Sequence, residues 1–138
     1  MVFTHTFERR TRGQGDVHDV TEEVTRALEG SGLGSGILTV FVVGSTAAIT
    51  TIEFEPGALA DMNRLFDALA PRDAHYDHHL RWGDDNGSSH VRAALLGPSL
   101  TVPFTAGRVV LGTWQQVVLV EFDTRARSRQ VVVQVVGE

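Results

Sequence analysis

Histidine and carboxylate crowd one stretch of this sequence. His75, His78, His79 and His90 are four of its six histidines, with Asp77, Asp84, Asp85 and Asn86 interleaved among them. Imidazole and carboxylate together suit zinc or another first-row divalent ion. If the stretch is a loop ending at a helix start, His90 also sits beside free backbone N–H groups, which favour an anion. A metal and an anion would then share one pocket. The spacing matches no standard zinc motif, and the competing reading is a solvated polar loop whose Asp and Ser cap the next helix.

Other residues carry divided signals. Glu53 shares a strand face with Thr51 and Ile49, where an acid is a base, a ligand or an edge carboxylate in water. Glu121 shares a face with Gln115, Val117 and Leu119, so it stands near a sheet edge or is paired inside, because unpaired burial is costly. Arg125, Arg127 and Arg129 alternate, and an extended backbone points all three one way. Three such guanidinium groups clamp a phosphate or diphosphate, or form a charged rim that guards an edge strand. Gly44-Ser45-Thr46 follows an apolar run but lacks the length and the Lys of a phosphate loop. No His is spaced to give Ser45 a known triad order.

Absences narrow the chemistry. The chain has no Cys, which excludes thiolate nucleophiles, disulfides and cysteine-ligated metals. All 12 basic residues are Arg, so a Schiff-base lysine is excluded as well. A formal charge of −5 argues against a general nucleic-acid surface. No apolar run approaches the roughly 18–20 residues of a membrane span. Met1–His5 lacks the basic and apolar regions of a secretory signal, so a cytoplasmic location is expected.

The elements that must position these groups follow from periodicity. A length of 138 residues suits one domain, 1–138, with a real core. Val2–Arg10 reads as a strand. Asp19-Val20-Thr21-Glu22 reads as a capping box before a helix carrying Val20, Val24, Ala27 and Leu28 inward. Ile37–Val43 is a continuous apolar run, expected as a buried strand, and Thr50–Glu55 continues extended. Pro56-Gly57 is expected to turn the chain into a helix over about Leu59–Ala70, with Leu59, Met62, Leu65, Phe66 and Leu69 inward. Arg72–Ser89 is a long polar loop, and loops of that length are usually functional or disordered. A short helix is expected over His90–Leu96, then strands at Leu100–Pro103, Arg108–Leu111, Trp114–Phe122 and Gln130–Val136. The order predicts an α+β fold, a mainly antiparallel sheet or sandwich with two to three helices packed on it.

Read in order, several segments resemble the successive motifs of the YjbQ family of secondary thiamine-phosphate synthases. They are Ser45-Thr46-Ala47-Ala48-Ile49-Thr50 with Glu53, Asp61, Tyr76-Asp77-His78, Ser89-His90-Val91-Arg92-Ala93, Leu95-Leu96-Gly97-Pro98-Ser99-Leu100-Thr101 and Leu111-Gly112-Thr113-Trp114-Gln115. The closing Val135-Val136-Gly137-Glu138 fits as well, and the resemblance runs from about Val40 to the C-terminus. It implies a β-rich fold, a homotrimer, and a metal or anion pocket around His78 and His90. Gly44 stands where the family often has His, and Ser88 where close relatives are expected to have it. A ligand set needing those imidazoles is incomplete here.

The activity so implied joins a pyrimidine methyl diphosphate to a thiazole phosphate. His78 and His90 would hold a divalent ion, zinc or magnesium, and Arg125 and Arg127 the phosphates. Trp114 would stack on a ring, with Ser45, Thr46, Thr113 and Gln115 as further substrate contacts. One alternative is metal-assisted hydrolysis of a small substrate with Glu53 or Glu121 as general base. Another is a non-catalytic trimer that holds a metal or anion. The expected partner is a small phosphorylated molecule, with neither nucleic acid nor membrane involved.

Overall fold

The computed structural model describes residues 1–138. In chain order the elements are β1 (Val2–Thr11), β2 (Val17–Asp19), α1 (Thr21–Ser31), β3 (Gly36–Val43), β4 (Ala47–Ile52), α2 (Pro56–Leu69), α3 (His78–Trp82), α4 (Gly87–Leu96), β5 (Ser99–Thr105), β6 (Arg108–Val109), β7 (Gln116–Glu121) and β8 (Arg127–Gly137). The strands form a large sheet, β1-β8-β3-β5-β6, and a small one, β2-β7-β4. Every paired neighbour is antiparallel. The fold is the α+β antiparallel sandwich expected, with four helices. No helix is long and apolar enough to cross a membrane.

Alternation along the strands builds the layers. Leu38, Val40 and Val42 of β3 and Val131, Val133 and Val135 of β8 face Ile49, Val117 and Leu119 of the small sheet, and α1 closes this core with Val24, Ala27 and Leu28. The other side chains of the small sheet, Ala48, Val118 and Val120, face Phe66 of α2 and Ala93 of α4 in a second core. The small sheet is therefore covered on both faces, and the large sheet on one.

That asymmetry corrects two readings of apolar pattern. β3 is not buried throughout: Ile37, Phe41 and Val43 lie on the outer face and are between 41% and 50% exposed. On α2 only Phe66 is fully buried, while Leu65 and Leu69 are exposed, because α2 shares the small sheet's outer face with α4. Pro56-Gly57 is the first turn of α2 rather than a separate turn. The Glu55 carboxylate accepts from the N–H groups of Gly57 at 2.8 Å and Ala58 at 2.7 Å, which caps the helix there. The capping box before α1 is also absent. Asp19 ends β2 and accepts from the N–H and hydroxyl of Thr21, while Glu22 pairs along the helix with Arg26.

The polar stretch is ordered by short anchors. Tyr76 donates its hydroxyl to Pro71 O at 2.7 Å. Gly87 packs against Tyr76 so closely that a Cβ at 87 would lie 2.4 Å from the Tyr76 Cβ. The Gly87 N–H donates to His79 Nε2 at 3.2 Å. These contacts hold α3 against the start of α4, which begins at Gly87, a turn earlier than its apolar residues announce.

Candidate functional site

β7 belongs to the small sheet and β8 to the large one, so the bend between them brings carboxylates and guanidinium groups face to face. Glu121, fully buried at the end of β7, accepts from Arg129 of β8 through Oε1 at 2.8 Å and Oε2 at 2.5 Å. Thr11 donates to Glu121 Oε1 at 2.6 Å, and the Asp123 N–H to Oε2 at 3.0 Å. This is the paired interior position, with no edge exposure.

Asp123, two residues on, is a second hub. Its Oδ2 accepts from Asn86 Nδ2 at 3.0 Å, Thr46 Oγ1 at 2.9 Å and Arg127 Nε at 3.0 Å, and its Oδ1 from the Arg125 N–H at 2.9 Å. Burial alone would raise this carboxyl. The hydrogen bonds from Asn86, Arg125, Thr46 and Arg127 outweigh it and hold the pKa at about 2. Thr46 joins the hubs, because its hydroxyl also accepts from Arg129 Nη2 at 2.6 Å.

Above this network lies a polar hollow of about 410 Å³, bordered by Gly44–Thr46 on one side and His78, Trp82 and Asp84 on the other, with Asn86, His90, Asp123, Arg127 and Arg129 between. The rings of His78 and His90 stand 4.4 Å apart at 44°. His78 Nδ1 is buried without a hydrogen bond, and Asp84 Oδ1 is the nearest carboxylate oxygen at 3.3 Å. His90 titrates below the ordinary imidazole range, chiefly because burial disfavours its charged form and secondarily because His78 is beside it.

The structure thus brings together Ser45, Thr46, His78, Asp84, His90, Arg127 and Arg129 among the residues singled out from the sequence. It sets the others apart. Glu53 is exposed beyond the end of β4 and does not border the hollow. Glu121 lies behind the hollow, saturated by Arg129, Thr11 and the Asp123 N–H. Arg125 lends only its backbone, and Arg127 and Arg129 reach separate carboxylates instead of forming one clamp. Gln115 borders a different depression with Thr50 and Thr101, and Trp114 beside it is 73% exposed. Thr113 donates nothing there and accepts from Gln116 through its carbonyl. Asp123, Asn86 and Trp82 are site residues that sequence patterns did not single out for a role.

The donors also bear on the expected metal. No three or more His, Cys, Asp or Glu side chains converge as a ligand set. A catalytic zinc takes about three protein ligands, and magnesium prefers oxygens. Two imidazoles and the Asp84 carboxylate border the hollow, while the oxygens of Asp123 are already engaged by four donors. A divalent ion in the hollow would draw on His78, His90 and Asp84, which do not converge on one point as they stand.

Fold and pocket together define a class: an antiparallel sandwich with one small hydrophilic site where the two sheets meet the polar loop. The chain matches the family described as UPF0047 protein YjbQ-like over residues 5–138, and it belongs to that family. It is 40% identical over 137 residues to a UPF0047 protein of Methanothermobacter thermautotrophicus, covering 99% of this chain and 94% of the relative. Identity to the UPF0047 protein YugU of Bacillus subtilis is 32% over 133 residues, covering 96% and 98%. A YbjQ-like protein of unknown function from Sulfolobus solfataricus has a solved structure similar over 100% of both chains, with a TM-score of 0.89 and 31% identity. A hypothetical protein from Aeropyrum pernix matches with a TM-score of 0.89 at 34% identity over 98% of each chain.

Proposed function

We propose that the hollow binds a small phosphorylated molecule, and that the chain catalyses a transferase step of the thiamine-phosphate synthase kind. One observation carries this reading: His78, His90, Ser45 and Arg127 border a single polar hollow, although they come from three separate stretches of chain. In the step, the thiazole nitrogen attacks the methylene carbon of the pyrimidine methyl diphosphate. A C–N bond forms, the C–O bond breaks, and the electron pair leaves on pyrophosphate. No proton need be removed from either reactant. The work left to the protein is to stabilise charge growing on the leaving diphosphate. Arg127, with nearly half its side chain exposed, and His90 are suited to that charge.

The test is product formation from the two phosphorylated substrates by wild type and by the double variant His78→Ala, His90→Ala. A loss of tenfold or more in the double variant is expected. Equal rates, or no product from wild type, overturn the reading.

A second reading rests on the Asp84 contact. A carboxylate 3.3 Å from His78 Nδ1 could orient that ring as a general base for hydrolysis. Release of inorganic phosphate from a simple phosphate ester, lost in Asp84→Asn, would favour it over transfer. The homotrimer implied by the resemblance has a surface available. Val2, Val136 and Ile37 form a row across three strands on the open face of the large sheet, and all three are exposed.

A further inference from the structure

Arg129 is held in an unusual way. Its side chain is only 7% exposed, yet it borders the hollow. A guanidinium has five N–H donors. Nε donates to Glu121 Oε1, and Nη2 donates to Glu121 Oε2 and to Thr46 Oγ1. Those three bonds leave Nη1, which has no acceptor within the chain. Nη1 is not among the buried atoms that lack a partner, so it opens onto the hollow, where water or an anionic oxygen can accept from it.

The backbone beside Nη1 keeps that place open. Gly44 has φ of +142°, a region L side chains rarely adopt, and a Cβ built there would lie 2.6 Å from Arg129 Nη1. Any other residue at 44 would press on the guanidinium or displace it. The imidazole that the resemblance leads one to expect at this position could not coexist with Arg129 as it stands. Glu121 and Thr46 fix the fork, so little freedom is lost when an anion docks on the remaining edge.

We infer that Arg129 Nη1, reached past Gly44, is the primary docking point for an anionic oxygen of the ligand, with Gly44 as the residue that keeps it accessible. This rests on the phosphorylated-ligand reading above. It differs in the group it names: both arginines spend Nε and Nη2 and leave Nη1, but Arg129 is buried, fixed by Glu121 and Thr46 and flanked by Gly44, whereas Arg127 is half-exposed.

The experiment is calorimetric titration with pyrophosphate at neutral pH, using wild type, Arg127→Ala and Gly44→Ala. Loss of a charge-assisted hydrogen bond corresponds to roughly tenfold or more in affinity. Gly44→Ala should weaken binding by at least that factor while circular dichroism stays that of the folded protein. Because alanine at this φ strains the turn, a second measurement uses the wild-type chain. Side-chain ¹⁵N–¹H signals of arginine are followed during the titration, with Arg129 assigned by its absence in Arg129→Lys. The Arg129 signals should shift and saturate with the calorimetric Kd. Wild-type binding weakened by Arg127→Ala but accompanied by no Arg129 shift overturns this inference alone. No pyrophosphate binding by wild type overturns the phosphorylated-ligand reading as well.

Discussion

Replacing Asp123 with Asn removes the charge at the centre of the site and leaves its shape. The Asp123 pKa drops from 3.8 to about 2 on folding, which corresponds to about 2 kcal/mol favouring the folded state at neutral pH. The Asn amide keeps one acceptor oxygen, which best replaces Oδ2 and its three donors, so its NH2 faces the Arg125 N–H that donates to native Oδ1. A buried donor left without its acceptor adds about 1–3 kcal/mol. Arg127 regains water, since its side chain is 46% exposed, and adds little. We expect Asp123→Asn to lose about 3–5 kcal/mol, or roughly 9–20 °C in Tm for a chain of this size. The sign with pH follows from a lowered carboxyl pKa. The charge contribution is complete above about pH 4 and is lost as pH falls toward about 2. Urea unfolding at pH 7, pH 4 and pH 2.5 should show the gap between wild type and variant shrinking over the lower interval. A gap under about 0.5 kcal/mol at pH 7, or one independent of pH, would refute the reasoning.

Arg127→Ala should weaken pyrophosphate binding roughly tenfold, whereas Arg125→Ala, which borders no part of the hollow, should change it less than about twofold. Both should fold with stability near wild type in urea melts, because Arg125 contributes only its backbone N–H and the half-exposed Arg127 adds about 0–1 kcal/mol. His90 is held below the ordinary imidazole range by burial and by His78, and a bound anion should raise it. Binding of sulfate, whose charge is constant near neutrality, should therefore strengthen as pH falls from 8 to 6 and take up protons in buffer-dependent calorimetry. Affinity flat across that range would count against His90 as a contact. Pyrophosphate affinity should be equal with and without exhaustive chelation if Arg127, Arg129 and His90 carry the anion by themselves, and a tenfold loss would show that a divalent ion is held. Light scattering should return three times the 15.0 kDa chain mass, and a monomer mass would reject the trimer.

Periodicity carried most of the fold to the surface of the sequence. Val24, Ala27 and Leu28 at helical spacing, and the alternating residues of β8, lie in the core as their pattern requires. Ile37–Val43 misled because every residue in it except Thr39 is apolar. Which face is covered depends on the second sheet, and nothing local records that. The helix starts at Pro56 and Gly87 were obscured for a related reason. Their first turns are polar or flexible, and a cap or a glycine packed under Tyr76 decides where they begin.

The site was legible where its residues lie close in sequence. His78 and His90 share one polar stretch, and the family motifs point to both. Asp123 was not, because its partners Thr46, Asn86 and Arg127 come from three distant stretches of chain that meet only after the chain crosses from one sheet to the other. The same crossing turns Arg129 toward Glu121. Alternation alone predicts three parallel arginines, but Arg125 precedes the strand and the other two each find a carboxylate.

A crystal of the protein soaked with pyrophosphate tests the central claim most directly. The anion should lie between His78 and His90 on one side and Arg127 and Arg129 on the other, with an oxygen within hydrogen-bond distance of Arg129 Nη1. Pyrophosphate ordered elsewhere on the molecule, or an empty hollow at saturating concentration, would contradict it.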